Sequence, residues 1–148
     1  DETSVIVAHY KGQEHLDWIL NNHLYNVRAG ESKGSIVLNN ELINARYLLL
    51  HNGKESHHLI RINKEGPKIY TRAELIKMGY PQYRISGTDE IDTEREKREA
   101  NKIYLVFKLF KNNSAEKELL VYKWDKLGDT RPHTENLVKL ISRAKKIH

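Results

Sequence analysis

Cysteine is absent from this chain of 148 residues. Disulfide bonds and thiolate metal sites are therefore excluded, and a reducing compartment such as the cytoplasm is the expected location. No apolar run approaches the roughly 18 residues that a membrane span requires, and the first residues lack the basic-then-apolar pattern of a signal peptide. We therefore expect a cytoplasmic protein that has no membrane partner.

Motifs that hold nucleotides or metal ions are also missing. The glycine-rich stretch 30–34 lacks the G-x-x-x-x-G-K-[ST] spacing of a phosphate-binding loop. His15 and His23 fall near one face of a predicted helix, but no further ligand completes a zinc spacing, and H-E-x-x-H is absent. We expect neither a cofactor nor a metal ion.

Outside one short segment, acids are clearly outnumbered by bases. The chain carries a formal net charge of +5, yet residues 89–99 hold six acids against three bases, so the remaining residues sum to +8. Tyrosines are scattered among these surplus bases. Cations beside aromatic rings suit a phosphate-bearing polymer, which makes nucleic acid the first partner to consider.

Short apolar runs separated by turn residues predict β-hairpins rather than strands joined by long helical crossovers. An Asn-Gly pair at 52–53 gives the clearest turn signal. Three pairs of runs share the pattern: 25–28 with 35–38, 46–51 with 57–62, and 102–110 with 118–124. The sheet should therefore be largely antiparallel.

Helical spacing appears in three places. Leu16, Ile19 and Leu20 define one face of a helix after Gly12. Thr71 and Glu74 form the pattern of a capping box, with Gly79 as the stop signal. Thr134 is placed to cap a C-terminal helix that continues to residue 147. The predicted fold is α+β: a strongly curved, largely antiparallel sheet or small open β-barrel built from hairpins, flanked by about three helices.

The length is near that of one ordinary domain, so we expect residues 1–148 to form a single domain. Because the chain begins at Asp1, we expect it to be a module of a longer protein with additional domains. The composition favours a non-catalytic, DNA-recognition module of a larger bacterial-type enzyme or of a defence or restriction system. The expected partner is nucleic acid, with double-stranded DNA favoured.

Basic, aromatic and amide side chains supply the candidate contacts. Lysine and arginine neutralise phosphates, tyrosine stacks on exposed bases, and asparagine or arginine reads base edges. The loops at 29–35 and 80–88 carry most of them, and three arginines of the predicted hairpins complete the set. The candidate residues are Arg28, Lys33, Ser35, Arg46, Arg61, Tyr80, Gln82, Tyr83 and Arg84. They form one site only if folding gathers both loops and the hairpin arginines on one face and turns residues 89–99 away.

A small metal-independent nuclease or RNase-like toxin is the first alternative. Its catalytic pair would come from His51, His57 and His58, with Arg61 steadying the charged phosphorane. His57 and His58 are adjacent in a predicted strand and point to opposite faces, so only one of them can join His51.

A protein-interaction module is the second alternative. In that case the acidic segment 89–99 would dock a basic partner.

Overall fold

The computed structural model describes residues 2–30, 35–56, 58–82, 85, 90–128 and 131–147. Strands and helices alternate along these ranges without segregating into separate halves. In chain order the elements are β1 (Ser4–His9), α1 (Gln13–Asn22), β2 (Leu24–Arg28), α2 (Asn40–Ile43), β3 (Tyr47–His51), β4 (Glu55–Ser56), β5 (His58–Arg61), β6 (Lys68–Thr71), α3 (Arg72–Lys77), α4 (Thr93–Glu99), β7 (Ile103–Lys108), β8 (Tyr122–Asp125), β9 (His133–Asn136), α5 (Leu137–Ser142) and β10 (Lys145–Lys146).

A parallel pair lies at the centre of the largest sheet, whose strand order is β5-β3-β1-β9. β1 and β3 run parallel, with Val5 opposite Tyr47 and His9 opposite His51. Parallel neighbours need a crossover connection, and α1, β2 and α2 provide it. The prediction that strands are joined only by short turns is therefore wrong for this pair. Every other pairing of named strands is antiparallel, as predicted.

One of the three predicted hairpins is confirmed: β3 and β5 pair antiparallel, with Tyr47 opposite Arg61. The pairing of 25–28 with 35–38 is wrong, because only Ala29 and Ile36 form an isolated bridge there, and it is parallel. The pairing of 102–110 with 118–124 is also wrong.

β7 is instead the middle strand of a β2-β7-β6 sheet, and β8 lies between β10 and β4 in a third sheet. The segment between β7 and β8 lies along β5. The backbone amides of Leu59 and Arg61 donate there to side-chain oxygens of Asn113 and Ser114, at 3.0 and 2.9 Å. This segment therefore covers the free edge of β5 instead of forming a tight turn.

The helix ends follow local chemistry. The capping box of α3 is confirmed: the backbone amide of Glu74 donates to Thr71 Oγ1, and the Glu74 carboxylate accepts from the Thr71 amide. Asn136, and not the predicted Thr134, caps α5, because Thr134 lies within β9 opposite Ile6 of β1. α5 ends at Ser142, short of the predicted 147.

Two apolar layers enclose the β1 sheet. Alternate residues of its strands, such as Leu48 and Leu50, pack against α1 and the β2-β7-β6 sheet. The residues between them, such as Leu49, pack against Trp124 of β8 and Leu140 of α5. α5 and the β2-β7-β6 sheet therefore lie on opposite sides of the β1 sheet.

The fold class is α+β, with three sheets. Within the described part of the chain none of these sheets closes on itself, so neither the predicted barrel nor the strong curvature is confirmed. No helix in the described ranges has the length and apolar character needed to cross a membrane.

Candidate nucleic-acid interface

The β2-β7-β6 sheet has two different faces because side chains alternate along each strand. Its inner face carries residues such as Val27, Leu105 and Phe107, which are buried against the β1 sheet. We call the opposite side the outer face. Pairing register aligns two rows across it: Arg28, Tyr104 and Tyr70 in one, and Asn26, Val106 and Lys68 in the next. Basic and aromatic residues are thus neighbours on this face.

A mostly apolar cavity of about 220 Å³ lies between the outer face and α3. We call it the tyrosine pocket. Its walls are Leu24, Tyr70, Leu75, Met78, Tyr80 and Val106. Its rim is charged, with Lys68 and Lys108 from the sheet and Glu65 from the turn before β6. An apolar cleft with a few charged groups at its mouth is the usual form of a ligand site.

The end of α3 positions Tyr80 at this pocket. Gly79 has φ +85°, a left-handed conformation that glycine adopts without steric cost. The amide of Tyr80 donates to the Leu75 carbonyl at 2.9 Å, and that of Gly79 donates to the Ile76 carbonyl at 3.0 Å, which closes a Schellman motif.

Two contacts then hold the Tyr80 side chain. Its hydroxyl donates to Asn26 Oδ1 at 2.9 Å, and its ring lies 5.2 Å from the Trp18 ring, centroid to centroid. The ring is therefore fixed from both ends before any ligand arrives.

Four predicted contact residues lie on this side of the molecule: Tyr80, Arg28, Ser35 and Gln82. Arg28 donates from Nε to Ser35 Oγ at 3.0 Å, and this bond joins the start of the 29–35 loop to its end. Gln82 donates from Nε2 to Glu96 Oε1 at 2.7 Å.

The acidic segment contacts these residues and is not turned away from them. Glu99 lies 3.6 Å from Arg28, measured from Oε1 to Nη1, and Glu96 binds Gln82. Both acids belong to α4, which is capped by Asp92. The condition that residues 89–99 face elsewhere is therefore wrong.

The physical reason is the burial of Arg72, whose side chain is only 2% exposed. A buried guanidinium needs a counter-charge. Glu96 provides it through two hydrogen bonds, Nη2 to Oε1 at 2.7 Å and Nε to Oε2 at 3.2 Å, while Tyr104 accepts from Nη1 at 3.3 Å. Burial alone would lower the pKa of Arg72, but the bonds to Glu96 and Tyr104 outweigh it and raise that pKa. The hydrogen bond from Arg72 lowers the pKa of Glu96.

Arg46 and Arg61 lie together, but away from the outer face. They flank Tyr47, whose hydroxyl donates to Glu116 Oε2. Burial and this hydrogen bond raise the pKa of Tyr47 to about 12, and the same bond lowers the pKa of Glu116. The Arg61 guanidinium also lies 5.4 Å from the ring centroid of Phe110. These two arginines are therefore part of a separate polar cluster.

His51 and His58, two of the histidines of the nuclease alternative, lie on different faces of the β1 sheet. His51 is fully buried, and its ring is 5.5 Å from that of His9. His58 faces the other side, where its Nδ1 is 3.1 Å from Asn112 Oδ1 and its ring is 6.0 Å from that of Tyr10. Across the described ranges no group of three or more histidine or acidic side chains has the geometry to hold a metal ion.

Lys33, His57, Tyr83 and Arg84 lie outside the described residues, so their proposed roles stay predictions. The candidate contact residues did not include Lys68, Tyr70 and Lys108, which line the tyrosine pocket. The alternation Lys68-Ile69-Tyr70 was the available signal, since a period of two predicts that the lysine and the tyrosine share one face.

Comparison with known proteins finds no matching family model, no matching curated protein and no matching solved structure.

Proposed function

We propose that this chain is a nucleic-acid-binding module, non-catalytic by itself, with double-stranded DNA as its polymer and the outer face as its contact surface. The observation that carries the proposal is the tyrosine pocket, which is lined by Tyr70 and Tyr80 and by two exposed lysines, Lys68 and Lys108. Lysines at the rim suit phosphates, and tyrosines in the walls suit bases.

The rest of the outer face supports the same function. Arg28, which bonds Ser35, and Gln82, which bonds Glu96, add polar groups on this side of the molecule, and the Gln82 amide suits a base edge. Glu96 and Glu99 lie among them. Acids in such a place oppose indiscriminate attraction to phosphate and favour polymers that match the contact geometry.

The positions of His51 and His58 do not favour cleavage by that pair. A base and an acid must both reach one phosphate. His51 is buried on one side of the β1 sheet, and His58 faces the other side. We further propose that the module acts in the cytoplasm, as part of a larger enzyme or of a defence or restriction system that supplies the catalytic activity.

The direct test is DNA binding by fluorescence anisotropy across a salt series. Six neutralised phosphates would lower the affinity by about 10³-fold between 50 and 200 mM salt. Replacing Lys68 and Lys108 together by glutamine should reduce the slope of log affinity against log salt by about 2, since each phosphate contact contributes about 1.

The matched control is Lys139→Gln. Lys139 is exposed on α5, on the far side of the β1 sheet, so its replacement should leave the slope unchanged. A wild-type protein that binds neither DNA nor RNA at 50 mM salt would contradict the proposal. Equal slopes for the double variant and the wild type would show that the outer face is not the DNA contact surface.

A further inference from the structure

We propose that the tyrosine pocket receives one nucleobase that has left the base stack. This inference rests on the proposed function and adds a ligand class to it: a nucleotide whose base is unpaired, bulged or swung out of a duplex. The pocket itself, and not the general charge of the chain, carries the inference.

The size and walls of the pocket suit a base. Its volume of about 220 Å³ is below the roughly 300–1,000 Å³ typical of sites for drug-sized ligands, so it holds a small ring system. Tyr70 and Tyr80 supply aromatic surface, and Val106 and Leu75 close the inner end with buried aliphatic groups. Every base has a π-face, so stacking on tyrosine is favourable whatever its identity.

The rim suits the remainder of a nucleotide. Lys68 on β6 is the cross-strand partner of Val106, and Lys108 lies two residues from Val106 along β7, on the same face of the sheet. A base seated against Val106 therefore has two neighbouring ammonium groups available to its phosphates. Glu65 adds an acid at the rim, and its carboxylate suits an exocyclic amino group, as on cytosine or adenine.

The pocket opens at the surface, and its aromatic wall is already in place. Met78 is 61% exposed although it forms part of the pocket wall. Tyr80 is held by Asn26 and Trp18, so the aromatic wall does not have to form when the base arrives. Pre-formed walls reduce the entropy lost on binding.

The test compares DNA duplexes that differ at one position. One has a single-base bulge, with A, C, G or T in turn; the reference has an abasic bulge at the same place. The bulged base is already unstacked, so the reference removes only the ring. We expect the intact protein to bind the bulged bases at least about fivefold more tightly than the abasic reference, with C and A ahead of T.

Two variants and one control test whether the preference for a bulged base over the abasic reference depends on the pocket. Tyr70→Ala removes a wall and should abolish the preference over the abasic reference. Met78→Trp fills the mouth at an exposed position, so it should do the same without disturbing the core. Ile69→Ala is the matched control, because Ile69 lies between Lys68 and Tyr70 but points to the other face and is 60% exposed. It should keep the full preference.

The possible outcomes distinguish base capture by the pocket from nucleic-acid binding by the chain. Equal binding of bulged and abasic duplexes, at measurable affinity, overturns the inference and leaves the proposed function standing. That result is also what a pocket for an apolar side chain of a protein partner would give. A preference that survives both Tyr70→Ala and Met78→Trp overturns the inference as well. No binding to any duplex or single strand overturns both.

Discussion

Arg72, the first residue of α3, and Glu96 form a two-point ion pair that fastens helix α4 to α3, and Arg72 also donates to Tyr104 of β7. The Arg72 side chain is 2% exposed and that of Glu96 is 27% exposed, so the pair lies at the boundary of the interior. The acidic segment is therefore held by an arginine whose burial requires a carboxylate.

Removing the carboxylate should destabilise the fold. We expect Glu96→Ala to lower the free energy of unfolding by about 2 kcal/mol, less than the 3–5 kcal/mol of a fully buried pair, because the carboxylate is partly exposed. Urea denaturation measures this. Glu94→Ala, on the same helix but exposed, is the control and should cost under about 1 kcal/mol. Equal losses for both variants would contradict a special role for the pair.

Low pH should reduce the stability of the fold, because it protonates carboxylates that accept hydrogen bonds. The pKa of Glu96 and that of Glu116 are both lowered in the folded state, by hydrogen bonds from Arg72 and Tyr47. A lowered pKa adds stability that is present above the ordinary pKa of 4.5 and is lost as the pH falls through the folded-state value. Unfolding measured from pH 6 to pH 3 should show this loss, and the Glu96→Gln variant should show a shallower one. An unchanged profile in the variant would exclude Glu96 as a cause.

The Tyr47 hydroxyl should lose its proton at a higher pH than an ordinary tyrosine. Its pKa is raised from 10.0 to about 12, so its contribution to stability is present below pH 10 and is lost as the pH rises through about 12. Phenolate absorbance should contain a component near pH 12 that Tyr47→Phe abolishes. Tyr122→Phe, which replaces a tyrosine of β8, should leave that component in place.

Gly79 should resist replacement by most residues. Its φ of +85° is left-handed, so Gly79→Ala should cost about 1–2 kcal/mol, although no atom crowds the added Cβ. Gly79→Asn should cost less, since asparagine tolerates this conformation. Thermal unfolding of the two variants gives the comparison. Similar losses for alanine and asparagine would exclude backbone conformation as the cause.

Glu99 should restrain DNA binding locally. Its carboxylate lies 3.6 Å from Arg28, so Glu99→Gln should raise DNA affinity by about two- to fivefold at low salt. Glu118→Gln removes the same charge from an exposed site in the segment that packs beside Trp124, on the other side of the β1 sheet. Equal gains in both variants would mean that net charge, and not the outer face, sets the affinity.

Features decided within a few residues could be predicted. The capping box of Thr71 and Glu74 is confirmed, as is the stop at Gly79, because each needs only hydrogen bonds to near neighbours. Strand partners were harder. Residues 103–108 have the pattern of a strand, but nothing in that pattern says that β2 and β6 are the neighbours. The cap of α5 shows the same limit, since pairing with β1 takes Thr134 into a strand and leaves the cap to Asn136.

The amino-acid sequence by itself determined the composition and the local elements: a basic chain without cysteine, its acids concentrated in residues 89–99, and an α+β succession of short strands and helices. Only the tertiary structure decided which charges meet and which rings share a pocket. Glu96 is 24 residues from Arg72, and Tyr80 is 54 residues from its partner Asn26. The physical reason is that burial of Arg72 selects whichever carboxylate the folded chain brings within hydrogen-bonding distance, and strand pairing selects which tyrosines face the same side.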